Sequence, residues 1–301
     1  MHRVLFIPTV AKKVRRPGGT LSAKASGLQR HAAVFVMSAA IATLAPSTQA
    51  AWPGRIELPS RTMATRSIEV HGVSPARAEV VRRHAEEVRR RVFAELLGVS
   101  APRPWAVPCE IHVHESAEAF EHAVGGPPAA ASGATSIEFA GDAVSLRRID
   151  VMSDGADGVP DALAHELVHV VLADRFPLAP PPRWADEGLA VLFDAPEKQA
   201  GHDADFAAAR RDGMAWSATH FLAMADYPAE TGRQRVFYGQ SVALVRWLIA
   251  RGGIGTFMQF VEDASLDGAT VSLDRHYGLA SSEALDRAWL GVAPIGDVSM
   301  D

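Results

Sequence analysis

His165, Glu166 and His169 stand in the run His-Glu-Leu-Val-His. Two imidazoles four positions apart share one face of a helix, so both can reach a single metal ion. The glutamate beside the first imidazole can reach a water held on that metal and take its proton. The chemistry on offer is hydrolysis by a metal-activated water, with zinc the metal suited to imidazole and carboxylate donors. A chain with 12 histidines and 35 acidic residues in 301 positions produces about 0.06 such runs by chance, counting Asp as Glu. The pentapeptide therefore needs support from its surroundings.

The surroundings supply it. A helix is expected from about Pro160 to Ala173, apolar nearly all round through Ala162, Leu163, Ala164, Leu167, Val168, Val170, Val171 and Leu172. A helix of that kind is buried. Two histidines and a glutamate inside it need partners, because unpaired buried polar groups cost several kcal/mol, and a metal would supply one. Zinc also asks for a third protein ligand and an open position. The metzincin pattern is excluded, since Leu172 and Arg175 stand where its glycine and third histidine belong. A second helix starts after the prolines 180–182 and carries Glu187 in Trp-Ala-Asp-Glu-Gly-Leu-Ala, eighteen positions after His169. A helix, a turn and an antiparallel helix can bring that carboxylate back over the two histidines.

His-Glu-Leu-Val-His followed by Trp-Ala-Asp-Glu-Gly-Leu-Ala-Val-Leu-Phe resembles the gluzincin metallopeptidases, in particular the peptidase MA-like group. The stretches around Tyr238-Gly239-Gln240-Ser241, Tyr277-Gly278-Leu279 and Ala284–Trp289 are similar to later parts of that group, so the resemblance covers about residues 65–291. It implies that His165, His169 and Glu187 bind zinc and that Glu166 is the general base. It also implies a tyrosine or histidine from the following helix as donor to the tetrahedral oxyanion. Tyr238 is the candidate, with a packing tyrosine as the alternative. Two departures bear on this. Val191 stands where thermolysin-like enzymes carry an acid that orients a histidine, leaving Asp186 as a substitute or as an exposed acid at a helix start. The Gly-Ala-Met-Glu-Asn signature of related aminopeptidases is absent, which favours endopeptidase activity.

The elements that must position these residues follow from periodicity. Strands are expected at 66–71, 109–114, 136–139 and 144–151, the last two joined at Gly141-Asp142, with a bulge where alternation slips at Arg147-Arg148. Ser74 and Pro75 open a helix whose apolar stripe is Val81, Ala85, Val88, Val92 and Leu96. The arginines at 82–83 and 89–91 lie mostly off that stripe, as a solvated face. From Pro160 onward the pattern is mainly helical. Strands first and helices after give an α+β class. The resemblance refines it to a zincin-like arrangement: an N-terminal mixed sheet with helices, packed beside a mainly helical C-terminal lobe, with the zinc site between them. The strand at 144–151 precedes the motif helix, as the zincin edge strand does, and is expected to hold an extended peptide by main-chain pairing.

Composition sets outer limits. With 48% hydrophobic and 22% charged residues the chain is ordinary for a globular protein, and a net charge of −5 argues against a nucleic-acid partner. The single cysteine, Cys109, rules out an intrachain disulfide and reads as a small buried hydrophobe. His112 and His114 read as a half-exposed polar strand face; His202, His220 and His276 have no ligand spacing and read as structural or exposed.

Residues 1–31 are basic and lack acids, an apolar run follows to Ala45, and small residues near Ala50 and Ala51 suit signal cleavage. Residues 1–50 are thus expected to be a signal peptide or basic leader, 51–64 a linker, 65–295 the peptidase-like domain and 296–301 a tail. An N-terminal membrane anchor is the alternative to export into the periplasm or medium. The leading expectation is an exported zinc metalloendopeptidase with a peptide or protein substrate and no stable membrane span in its mature form. The alternative is a non-catalytic zincin-fold binding protein of the cell envelope.

Overall fold

The computed structural model describes residues 2–10, 67–125, 131–153 and 158–291. Among them the strands are β1 (His2–Val10), β2 (Ile68–His71), β3 (Cys109–His114), β4 (Ala131–Ala140) and β5 (Ala143–Met152). They form one mixed sheet in the order β1-β4-β5-β3-β2. The pairs β2–β3 and β3–β5 are parallel, whereas β4–β5 and β1–β4 are antiparallel.

Alternation decides which face of the sheet is covered. Cys109, Ile111 and Val113 of β3 point to one side and are buried, and Ile149 and Val151 of β5 join them. Helix α1 (Pro75–Leu97) packs against β2, with Ser74 accepting from the Arg77 amide and Gly98 closing the end at φ 67°. Its expected stripe is buried. Arg89 departs from the solvated-face expectation. It is buried, stacks 4.2 Å from the Trp105 ring and donates to the Arg103 carbonyl.

Two strand expectations need correction. The bulge lies between Glu138 and Phe139 in the β4–β5 register, where Leu146 and Val144 are the partners and Ser145 is the extra residue. Arg147 and Arg148 pair regularly on both sides. The apparent slip in apolar alternation arises because Arg147 is itself buried, bonded to the Val107 carbonyl and to Asp174. The second correction concerns the edge. β5 lies between β4 and β3, so both its main-chain edges are already paired and it has none to offer a peptide.

The second half is helical: α2 (Ala117–Val124) precedes β4, and then come α3 (Leu163–Arg175), α4 (Arg183–Val191), α5 (Pro196–Arg211), α6 (Ala218–Leu222), α7 (Thr231–Asp267), α8 (Ala269–Tyr277) and α9 (Ser282–Leu285). α7 is broken at Gly253, whose φ of 78° no other residue type adopts readily. The motif helix α3 packs on α1, β4 and β5 on one side and on α4 on the other; α4 in turn packs on α7. Leu163, Leu167, Val168, Val170 and Val171 are fully buried in this layer, and each such side chain contributes roughly 1.5–3 kcal/mol. Trp184 on α4 anchors the helical side against Phe221, Phe257 and Phe260.

The mixed sheet and the helical second half agree with the expected α+β class. No helix among the described residues is long and apolar enough to cross a membrane. The expected apolar run and cleavage region, residues 31–52, lie outside the described residues, as does the tail. Residues 2–10, counted in the expected leader, pair with β4 as an outer strand.

Candidate metal centre

The site forms where α3 and α4 face each other. The α3 helix carries His165, Glu166 and His169, and α4 brings Asp186 and Glu187; all five are buried. The close approach of α4 to α7 depends on Gly188. A Cβ there would fall 2.4 Å from Val245 Cγ2 and 2.7 Å from the Ser241 carbonyl oxygen, so only glycine lets the segment after Glu187 seat.

His165, His169 and Glu187 each present a ligand atom, and these atoms all lie within 4.8 Å of one another. His165 Nε2 is 3.2 Å from Glu187 Oε2, and His169 Nε2 is 3.9 Å from Glu187 Oε1. Donors about 2.0–2.2 Å from a tetrahedral ion stand at such separations. His169 Nε2 is buried without a hydrogen-bond partner among the described residues. A buried imidazole nitrogen in that state is costly unless something is bound to it. The residues therefore fit a metal ion.

The outer nitrogens are held by acids. Asp186 Oδ1 lies 2.9 Å from His169 Nδ1, and Asp194 Oδ2 lies 3.3 Å from His165 Nδ1. A carboxylate on the outer nitrogen fixes the tautomer that turns Nε2 toward the metal. Asp186 is thus buried against His169 and is not an exposed acid. Asp194 was not read from the sequence. It lies beyond α4, its other oxygen 2.8 Å from Lys198 Nζ, with the His202 ring at 4.0 Å. Glu187 Oε1 also accepts from the Tyr227 hydroxyl, and the Arg183 guanidinium stacks 5.1 Å from that tyrosine ring.

Charge follows this arrangement. Burial alone would lower the His165 pKa, but the Asp194 charge and the hydrogen bonds from Asp194 and Glu187 raise it to about 10. His169 is raised too, its burial outweighed by the Asp186 and Glu187 charges. Burial would raise Glu187, yet the two histidines hold it down to about 2. The cluster thus stores its negative charge on Glu187 and Asp194 and awaits a cation, which is a proton pair or a metal.

Glu166 stands apart from the three donors. Its Oε2 accepts from the Thr135 hydroxyl of β4 at 2.6 Å. β4 passes so close that a Cβ on Gly133 would fall 2.5 Å from Glu166 Oε1. Tyr238 of α7 is buried between the His165 ring at 6.5 Å and the His202 ring at 5.7 Å.

No family model matches this chain, and neither a curated protein nor a solved structure does.

The structure brings together every residue expected at the site: His165, Glu166, His169, Glu187 and, as a near neighbour, Tyr238. His202, expected to be structural or exposed, is buried beside Asp194 at its rim. His220 is exposed, and His276 pairs with Asp263 at 2.8 Å, away from the centre. His112 and His114 are half-buried on β3, beside Glu110 and Asp150 respectively. Cys109 is buried, its thiol pKa pushed up by burial. Thr135, Asp194 and Tyr227 were missed, since each is a common residue type with no fixed spacing from the motif.

Proposed function

We propose that the protein is a zinc-dependent metalloendopeptidase of gluzincin type, with a zincin-like arrangement of sheet and helices around the metal. His165, His169 and Glu187 would hold the zinc. The observation that carries the reading is the convergence of these three donors, with His169 Nε2 buried and without a hydrogen-bond partner among the described residues, beside a second carboxylate, Glu166, that is not among them.

Zinc bound there would supply Lewis acidity toward a scissile carbonyl and lower the pKa of water to about 7. Glu166 has the role of general base. It takes the proton of the attacking water and passes it to the leaving amine. The Thr135 hydroxyl holds the Glu166 carboxylate by one oxygen, which aims the other. Asp186 and Asp194 accept the Nδ1–H hydrogen bonds of the two imidazoles, which would leave each Nε2 facing the metal. Tyr238 remains the candidate donor to the tetrahedral oxyanion. A peptide substrate is what the resemblance implies; β4, the sheet strand beside the base, is paired by β1 on one edge and β5 on the other, so a peptide could pair there only after β1 leaves. Export by the basic leader, into the periplasm or medium, completes the proposal.

The experiment pairs metal analysis with one substitution. The purified protein should carry about one zinc per chain and cleave a peptide library, and Glu166→Gln should abolish cleavage with zinc retained. Protein that neither carries zinc nor takes it up sinks the reading. Retained zinc with no cleavage of any peptide by the unaltered chain would instead favour a binding protein that keeps the site.

A further inference from the structure

β4 is the strand nearest the base, through Thr135 and Gly133. One of its edges is taken by β5. The other is taken by β1, antiparallel, with Ile7 opposite Thr135, Pro8 opposite Ala134 and Thr9 opposite Gly133. The part of β1 that passes the base is therefore residues 7–9. An extended segment laid antiparallel on an outer strand is how peptides are captured through main-chain hydrogen bonds.

The geometry points to the outer edge of β4 as a track for an extended peptide, occupied by the chain's own residues 2–10, which must leave before another peptide can pair there. The inference rests on the peptidase reading where it calls the track a substrate track; the competition for the edge does not.

One feature makes β1 a displaceable occupant. Its pairing is least regular next to Glu166: Pro8 has no N–H to donate, and the register shifts between Thr9 and Val10. Cleavage of the leader near Ala50 would remove β1 altogether and open the track on export.

Val4 and Glu138 are directly opposite in the two strands and lie away from the base. The full chain carrying Val4→Cys and Glu138→Cys can lock β1 in place when oxidised and release it when reduced. Cys109, being fully buried, should not interfere. The probe is a fluorescent synthetic peptide with the sequence of residues 2–10, followed by anisotropy. Reduced protein should bind it at least tenfold more tightly than oxidised protein, with reductant leaving the unaltered chain's affinity unchanged. A second variant, Phe6→Pro with Ile7→Pro, needs no disulfide. It removes consecutive β1 donors and should bind the probe more tightly than the unaltered chain. Equal affinity in locked and released protein, no binding to either, or no gain from the proline pair overturns the inference. Casein hydrolysis measured on the same samples separates the two ideas. Probe binding that follows the lock in a protein that hydrolyses nothing sinks the peptidase reading alone; hydrolysis equal in both states sinks the edge inference alone.

Discussion

The Thr135 hydroxyl donates to Glu166 Oε2 across 2.6 Å, from the sheet to the motif helix. This bond ties Glu166, the proposed base, to β4. A carboxylate held at one oxygen keeps the other aimed, and loss of such an outer contact typically costs 10–100-fold. Thr135→Val keeps the shape and deletes the donor, so kcat should fall by about that factor with zinc content unchanged, and Thr135→Ser should recover most of it. Steady-state kinetics with metal analysis on the same preparations is the check. A Val variant as active as the unaltered chain would mean that Glu166 is oriented by other groups.

The two orienting acids should act on metal affinity rather than on the chemistry directly. Asp186→Asn and Asp194→Asn each replace an acceptor for the imidazole Nδ1 proton with a group that can be turned either way. Each should weaken zinc binding by roughly 10–100-fold in a competition with a coloured chelator. Asp194→Asn also leaves Lys198 without its partner at 2.8 Å, so its loss should be the larger and should diminish at high salt. Unchanged zinc affinity in both variants would reduce these acids to packing.

How much of this was legible in sequence depends on what carried the signal. His165, Glu166 and His169 are fixed by helical spacing, and Glu187 by the prolines that turn the chain back, so four residues far apart in role were readable from local rules. Strand β3 and helix α1 were readable for the same reason: alternation in one, a cap and stripe in the other. The edge of the sheet was not. Which strand is outermost depends on the order β1-β4-β5-β3-β2, set by crossovers between distant segments, and no local period encodes it. Asp194 and Tyr227 were hidden in a similar way, because they reach the site from the turn after α4 and from the segment before α7. Arg147 misled the bulge assignment because a buried charge, paired with Asp174, imitates a break in alternation.

Two tyrosines reach the centre, with different partners. Tyr227 donates to Glu187, a proposed zinc ligand. Tyr238 lies against the His165 and His202 rings, packed with Val191 and Val242. Tyr227→Phe should lower zinc affinity, because Glu187 loses a donor. Tyr238→Phe should lower kcat with KM and zinc content little changed, since a donor to the oxyanion acts only in the transition state. A fall in zinc affinity for Tyr238→Phe, with kcat intact at saturating zinc, would assign that residue to packing around His165 instead.

Protons and metal should compete for the same atoms. In metal-free protein the His165 pKa is raised to about 10 from an ordinary 6.5, so its contribution to stability is complete below about 6.5 and is lost as pH rises toward 10. Glu187 is held down to about 2 from 4.5, so its contribution is complete above about 4.5 and is lost as pH falls toward 2. Chelator-treated protein should therefore be most stable between about 4.5 and 6.5, and its melting temperature should fall from neutral pH to pH 9. Zinc reverses the upper limb. It requires the imidazoles without their Nε2 protons, so binding releases protons and tightens as pH rises. Calorimetric titration with zinc in two buffers of different ionisation enthalpy, together with melting curves from pH 5 to 9, tests both limbs. Zinc binding with no proton release at pH 7 would show that the histidines are already neutral before the metal arrives, and that the acids around them leave no proton to displace.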